Sequence, residues 1–377
     1  MIYLDHAATT PVPRAVADTM YTVLTEHFGN PSAQYPMGLE TKKQVELWRR
    51  TVAKALGSES RQLFFTSCGT EGDNWAIQAA CWQNRRLGRH IVTTAVEHSA
   101  MLEGCRWMEQ QGWEVTYLTP DGEGVITAQQ VLDAVRPDTA LVSCMLVNNE
   151  LGTIYPIQEI SRGLAAKNPQ TLLHTDAVQG FLKIPFSAKT LGADFITISA
   201  HKIGGPKGIG ALYVRPDLRN LRPLLAGGGQ EEGLRSGTEA TAQIAGFAKA
   251  VALRQEGLEE KLAHMARIKA YCRERLLSIP GVVPVGGGEA PHILAVSLVG
   301  YPSANVINDL GSQGICLSAG SACHRGKASR GYAALGLDKR TAAGVLRLSF
   351  GPETTEGDIA VLYEALLRHK NTRFSML

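Results

Sequence analysis

Four short stretches of this chain carry residue types that could act together on a small molecule. In "ISAHKIGGPKGIG", residues 198–210, Lys202 ends an apolar run and precedes a cluster of glycines. A lysine buried at a strand end is costly to hold as an ammonium, and the lowered pKa that follows is what a Schiff-base lysine requires. In "LLHTDAVQG", residues 172–180, Asp176 ends another apolar run, where a carboxylate could pair with a protonated ring nitrogen. In "TTAVEHSAM", residues 93–101, His98 could stack on a planar ring or shuttle a proton near neutral pH. In "FTSCGTEGDNWAI", residues 65–77, Ser67, Gly69 and Thr70 stand between a strand-like run and a helical one, a natural seat for a phosphate.

Each residue also has an ordinary explanation. Lys202 could reach solvent while Lys207 closes a turn, Asp176 could cap a helix, Thr70 could do the same, and a single His after a strand is commonly structural. What distinguishes them is a shared position. All four follow successive strand-like runs, and open α/β sheets bind ligands at the carboxyl ends of their strands. A lysine, an acid, a histidine and a phosphate seat gathered there form one constellation, of the kind that makes a pyridoxal phosphate ring a strong electron sink.

A fifth stretch, "LSAGSACHRGKAS" at residues 317–329, sets Cys323 among small residues and just before His324, Arg325 and Lys327. Nothing large surrounds the thiol in sequence. Nearby positive charge favours the thiolate, which is the reactive form. The basic run could equally be the solvated face of a surface loop.

The elements needed to position these groups are legible as alternating segments. "TKKQVELWRRTVAKALG" has helical spacing and stops at Gly57. Strand-like runs follow at "QLFFTS", "HIVTTA", "WEVTYL", "TALVSCMLV", "TLLHTD", "DFITISA" and "GALYVR", with helical segments between most of them. Several runs are apolar on both faces, as in a central sheet covered by helices. A glycine-rich connection, "LLAGGGQEEGLRSGTEA", leads to a long helical stretch over about 239–278 and a second part containing "HILAVSLVG" and "VLRLSF".

The 377 residues suit one large domain with a smaller one, and 44% hydrophobic with 19% charged residues is globular composition. A net charge of +3 gives no basic face for nucleic acid, so no direct nucleic-acid partner is expected. No apolar run is long enough to span a bilayer, and "MIYLDHAATTPVPRAV" lacks the layout of a signal peptide, so no membrane association is expected. The seven cysteines are scattered without a C-x-x-C, which argues against a metal site and for a reducing cytoplasm. Cys144 and Cys316 lie in strand-like runs and are expected to be buried hydrophobes.

Taken in order, "YLDHAATTPV", "FGNPSA", "TSCGTEGDN", "TAVEHSA", "VNNELGTI", "HTDAVQ", "SAHKIGGPKGIGALYV", "GGGQEEGLRSGT", "SAGSACH" and "RLSFGPETT" resemble the motifs of class V aminotransferase-like, fold-type I pyridoxal phosphate enzymes, specifically the NifS/IscS-like cysteine desulfurases. The resemblance runs nearly end to end. It implies an α/β fold. A large domain over 15–255 would have a mostly parallel seven-stranded sheet flanked by helices. A smaller α+β domain, from 1–14 and 256–377, would carry the Cys323 loop.

The resemblance also implies residue roles. Lys202 would hold pyridoxal 5'-phosphate covalently. Asp176 would pair with the ring nitrogen, Gln179 would reach the ring hydroxyl, and His98 would stack on the ring and help move protons. Asn149 would lie near the ring and substrate, and Gly69, Thr70, Ser199 and His201 would hold the phosphate. Thr238 would reach the phosphate of a neighbouring subunit, which implies a homodimer. Arg347 and Asn30 would hold the substrate carboxylate, since a guanidinium donates two parallel hydrogen bonds to one. Cys323 would take sulfur from L-cysteine as a persulfide, leave L-alanine, and pass the sulfur to an acceptor protein in iron–sulfur cluster assembly, tRNA thiolation or another sulfur pathway.

Two stretches depart from the pattern. After Cys323 the run "CHRGKASRGYAALGL" is shorter and more basic than the Glu-Pro-Ser turn of many relatives, and Tyr35 stands near where a His is often found. A selenocysteine lyase, or another pyridoxal phosphate β-lyase or aminotransferase, is the enzymatic alternative. A non-catalytic protein on the same fold is the other, against which Lys202, Asp176 and His98 all stand.

Overall fold

The computed structural model describes residues 1–218, 221–320, 330–373 and 375. In chain order its first half runs β1 (Ile2–Tyr3), α1 (Arg14–Thr25), α2 (Pro36–Leu56), β2 (Leu63–Thr66), α3 (Gly69–Gln83), β3 (His90–Thr94), α4 (Ser99–Gln110), β4 (Glu114–Leu118), α5 (Ala128–Ala134), β5 (Thr139–Ser143), α6 (Ile157–Lys167) and β6 (Leu172–Asp176). The second half runs α7 (Ala188–Leu191), β7 (Phe195–Ser199), β8 (Gly210–Val214), α8 (Thr241–Gln255), α9 (Leu258–Leu277), β9 (Val282–Pro284), β10 (Ile293–Leu298), α10 (Ser303–Ser312) and β11 (Ile315–Cys316). It closes with α11 (Arg330–Ala334), α12 (Lys339–Ala343), β12 (Val345–Ser349) and α13 (Glu356–Thr372).

The main sheet has seven strands in the order β2-β8-β7-β6-β5-β3-β4. Only β8 runs against its neighbours, pairing antiparallel with both β2 and β7. β2 therefore points the same way as β3, β5, β6 and β7, and the carboxyl ends of all five open on one edge. β5, β6 and β7 are buried along their whole length, because helices cover both sheet faces. One core layer packs residues such as Val142, Ile196 and Phe247, and the other sets Trp75, Met101 and Phe195 against α3 and α4.

Local signals account for many element ends. Pro36 opens α2, where its missing N–H costs nothing, and Gly57 closes it in the left-handed conformation at φ 74°. Thr127 with Gln130, and Thr355 with Asp358, form reciprocal capping boxes at the starts of α5 and α13. The helical stretch expected over 239–278 is two helices. Gly257 takes a left-handed conformation, φ 59°, between α8 and α9 and turns the chain there.

A second core lies under the antiparallel sheet β12-β10-β9, where α9, α10 and α13 supply Ile268, Val306 and Leu362. Leu4 belongs to this core as well, since β1 pairs in parallel with β11. The N-terminal residues thus cross from the second core to the edge of the main sheet. Among the described residues, no helix is long and apolar enough to cross a membrane.

Candidate active site

The carboxyl-terminal edge of the main sheet holds a cavity of about 260 Å3. Its lining includes Gly69, Thr70, His98, Asn149, Asp176, Gln179, Ser199, His201, Lys202 and Arg347. These ten expected residues come from six different chain segments, and the fold brings them to one place. Asn30 and Thr238 are not in this lining, and both are exposed. Asn30 instead accepts a hydrogen bond from the Ser32 amide at 2.9 Å. Cys323 lies outside the described residues.

Lys202 sits in a 3-10 turn, Ala200–Lys202, directly after β7. It is half-buried rather than enclosed, and its ammonium donates to the Ala7 and Ala8 carbonyls at 2.7 Å each. The buried lysine nearby is Lys183, in the turn well beyond the end of β6, which is 2% exposed and which sequence reasoning did not single out.

Asp176 ends β6 and is 5% exposed. Its Oδ1 accepts from the Val178 amide at 2.8 Å, so it does serve the local turn. Burial raises its pKa against the opposing pull of His98, the Val178 amide and Lys202. A carboxylate made more basic in this way is a better holder of a ring-nitrogen proton. Beneath it lies Asp73, fully buried on α3. Burial first, and then the charge of Asp176, push the Asp73 carboxyl well above its ordinary range. Glu97, also buried, is pushed up to about 8 by burial. One ligand atom each from Asp73, His98 and Asp176 lie within 4.8 Å of one another, and burial, which disfavours the charged form of both carboxyls, makes this set better suited to a cationic ring nitrogen than to a metal ion.

His98 is the N-cap of α4, and its Nδ1 accepts from the Ala100 amide at 3.2 Å. In the neutral ring this places the proton on Nε2. His201 meets Thr9 at 3.2 Å through Nδ1, and burial together with nearby Lys202 and Lys183 pushes its pKa down to about 3, so it is neutral.

The N-terminus of α3 has no side-chain cap. Its N-cap residue is Cys68, and Thr70 stands inside the first turn. Capping by Thr70 is therefore not what this helix shows. Close to the helix start is Ser199, whose Cβ lies 3.8 Å from where a Cβ on Gly69 would stand and whose hydroxyl is buried with no hydrogen-bond partner among the described residues. Uncapped amides beside an orphaned buried hydroxyl fit a phosphate. Gly72, one turn further on, has Thr197 Cγ2 2.8 Å from where a Cβ would stand, so only glycine lets α3 lie this close to β7.

Arg347 reaches the cavity from β12 and is 1% exposed. It donates to Asp5 Oδ1 at 2.7 Å and to the Asn149 carbonyl at 2.8 Å, while its Nε has no partner among the described residues. Sequence reasoning gave Asp5 no role, although it is the one carboxylate in "YLDHAATTPV". Ser318 exchanges both backbone hydrogen bonds with Arg347, at 2.6 and 3.3 Å, and donates from its hydroxyl to Asp5 at 3.1 Å. The chain entering the Cys323 segment is thereby anchored at Arg347. Cys144 is buried as expected, whereas Cys316 is only half-buried on β11.

The sequence profile of the aminotransferase class-V family matches residues 2–362. The chain belongs to this family. Within it, the cysteine desulfurase IscS of Methanosarcina thermophila is 39% identical, over 97% of this chain and 91% of that one. A solved NifS-like protein superposes with a TM-score of 0.93 at 36% identity, covering 99% of this chain and all of that one. SspA solved in complex with cysteine gives a TM-score of 0.81 at 32% identity, covering 94% of this chain and all of that one. As an IscS/NifS-like member of the class-V aminotransferases, the protein uses pyridoxal phosphate. The cavity suits that cofactor: a phosphate at Ser199 and the α3 amides, a ring nitrogen at Asp176, and an aldehyde carbon at Lys202.

Proposed function

We propose that the protein is a cysteine desulfurase that moves the sulfur of L-cysteine to its own Cys323, releasing L-alanine. The observation that carries this reading is the cavity itself, where a lysine, a basic carboxylate, a histidine, an uncapped helix start and a buried arginine converge. Relatives that align over nearly the whole chain are named cysteine desulfurases, and SspA, which shares the fold, was solved in complex with cysteine.

In this reading, Lys202 would hold pyridoxal phosphate and Asp176 would keep its ring nitrogen protonated. When bound, the cofactor supplies an electron sink for the substrate's α-carbon. Arg347 orients the substrate by its carboxylate, exchanging the Asp5 contact for the substrate's and offering the free Nε. Lys202 would take the α-proton of the substrate at Nζ. The Cys323 thiolate then forms a bond to the substrate sulfur while the carbon–sulfur bond breaks, leaving a persulfide on Cys323. Two protons, the α-proton held on Lys202 and the one given up by the Cys323 thiol, return to the β- and α-carbons of the three-carbon remainder and give L-alanine, so L-cysteine and a thiol become L-alanine and a persulfide with no outside oxidant. Gln179 would steady the ring hydroxyl, His98 the ring face, and Asn149 the substrate side.

Exposed Thr238 is proposed to complete a neighbouring subunit's phosphate site in a homodimer, and Asn30 to join the substrate site. A sulfur-acceptor protein would discharge the persulfide. The test is a single turnover with L-cysteine and no reductant, followed by the intact mass of wild type and Cys323→Ala. The expected result is one added sulfur atom and alanine for the wild type, and no added sulfur for the variant. A variant that still consumes cysteine would instead favour a lyase that needs no cysteine nucleophile.

A further inference from the structure

A second cavity, of about 250 Å3, lies behind Lys202 at the junction of the two cores. It is lined by Lys183 from the turn after β6, Arg254 of α8, Lys261 of α9 and Lys202 itself, with His6 from the N-terminal segment. Among the described residues in the lining, the only carboxylate is Glu353. It is 62% exposed and already lies 3.4 Å from His6. Four basic side chains thus line one space with a single, outward-lying carboxylate, and one of them, Lys261, also donates to the Leu253 carbonyl at 2.7 Å and to the Glu256 carbonyl.

The most telling of these is Lys183. A buried lysine is ordinarily paired with a carboxylate. Here the acceptor is uncharged, the Gln179 carboxamide oxygen at 3.1 Å. As an ammonium it has three donors, so two remain beyond the Gln179 bond, and Lys183 lines the cavity. Burial, and then the charges of Lys202, Arg254 and Arg347, hold its pKa well below the ordinary value, so an anion in the cavity would favour the charged form. Arg254 is similarly underused: Nε donates to the Leu182 carbonyl at 3.2 Å and Nη2 lies 3.6 Å from the Met265 sulfur.

We propose that this cavity is a binding site for a small oxyanion, either a carboxylate or a tetrahedral inorganic anion, held by Lys183, Arg254 and Lys261 on the far side of Lys202 from the cofactor. It is distinct from the cofactor's phosphate seat, which is built from α3 and Ser199. The two cavities are joined by one short chain of hydrogen bonds. Lys183 donates to Gln179 Oε1, Gln179 Nε2 donates to the Ala7 carbonyl at 2.8 Å, and the same carbonyl accepts from Lys202. An anion that draws Lys183 into the cavity competes with Gln179 for its donors. The site therefore reports to the Lys202 side through a carboxamide.

The test is calorimetric titration of inorganic phosphate, sulfate and acetate, each separately, into protein saturated with pyridoxal phosphate so that the cofactor's own seat is filled. One binding event is expected in the wild type. It should weaken by about tenfold or more in both Lys183→Met and Arg254→Gln, since each removes charged donors. It should be unchanged in Ser199→Ala. Preference for phosphate and sulfate over acetate identifies a tetrahedral ligand, and the reverse identifies a carboxylate; either supports the site. Circular dichroism checks folding, and if Lys183→Met does not fold, Arg254→Gln decides. No binding in the wild type at tens of millimolar overturns the proposal. So does binding that Ser199→Ala abolishes, because that anion sits in the cofactor's seat, and so does binding that neither cationic variant weakens.

Discussion

The two cavities on either side of Lys202 carry opposite fields. Under the cofactor side lie three buried carboxyls, Asp176, Asp73 and Glu97, and burial raises the pKa of each. Behind it lie Lys183 and Arg254, and burial lowers the pKa of both. The same low dielectric acts on both groups, and in each case it disfavours the charged form. What differs is the use to which this is put. Buried acids suit a ring nitrogen that must stay protonated, whereas a basic pocket whose one carboxylate is exposed suits a ligand that brings its own charge. Lys202 lines both cavities, half-exposed and tied to two backbone carbonyls.

Removing the lysine at the boundary should have the largest effect. Lys202→Ala is expected to abolish the visible absorbance of the bound cofactor in undenatured protein after desalting, and to lower turnover of L-cysteine by about a thousandfold or more. Absorbance spectra and alanine release check it. Next, Asp176→Asn leaves the shape of the acidic side intact but removes its charge. Turnover is expected to fall by roughly a hundredfold, with the pH at which the cofactor spectrum changes moving as well. An unchanged spectrum and rate would remove Asp176 from the role assigned to it.

Glu97 sharpens the comparison through stability. Its folded pKa is raised from 4.5 to about 8, so the unfolded chain releases this proton first as pH rises. The stability Glu97 contributes is complete below about 4.5 and is lost as pH rises toward 8. Glu97→Gln cannot ionise. Relative to wild type, it should gain about 1.4 kcal/mol per pH unit through that window, measured by urea unfolding at several pH values. A pH-independent difference would mean that Glu97 is ionised in the folded protein.

On the opposite side the sign reverses. The folded pKa of Lys183 lies well below its ordinary 10.5, so its contribution to stability is present at high pH and lost as pH falls. Lys183→Met should therefore be more stable than wild type at neutral pH, by about 1–3 kcal/mol. Thermal unfolding of the two proteins without added anion checks it. A destabilised variant would show that Lys183 is compensated in a way its single bond to Gln179 does not reveal.

The seven strands of the main sheet were readable because each is a short apolar run bounded by turn residues, and the ten residues lining the cofactor cavity were readable because their motifs stand in order along the chain. Less legible were contacts made across long separations in sequence. Asp5 and Arg347 are 342 residues apart and meet only because β1 and β12 share the second core. Asp73 is on the inner face of a helix whose sequence looks amphipathic only weakly, so its burial beside Asp176 has no local signature. Thr70 looked like a cap because caps are inferred from local residue type, yet α3 begins one residue earlier.

By itself the sequence determined the alternation of strands and helices, the order of the motifs, and hence the family and its cofactor, because hydrophobic period and short motifs are local properties of the chain. Which groups share a low-dielectric space was decided only by the tertiary structure. Lys202 and Lys183 are both lysines following apolar strands, and nothing local says that the first stays half-exposed between two carbonyls while the second is sealed beneath α8 and the N-terminal segment. Burial depends on what packs from elsewhere, and the ionisation of a side chain depends on burial.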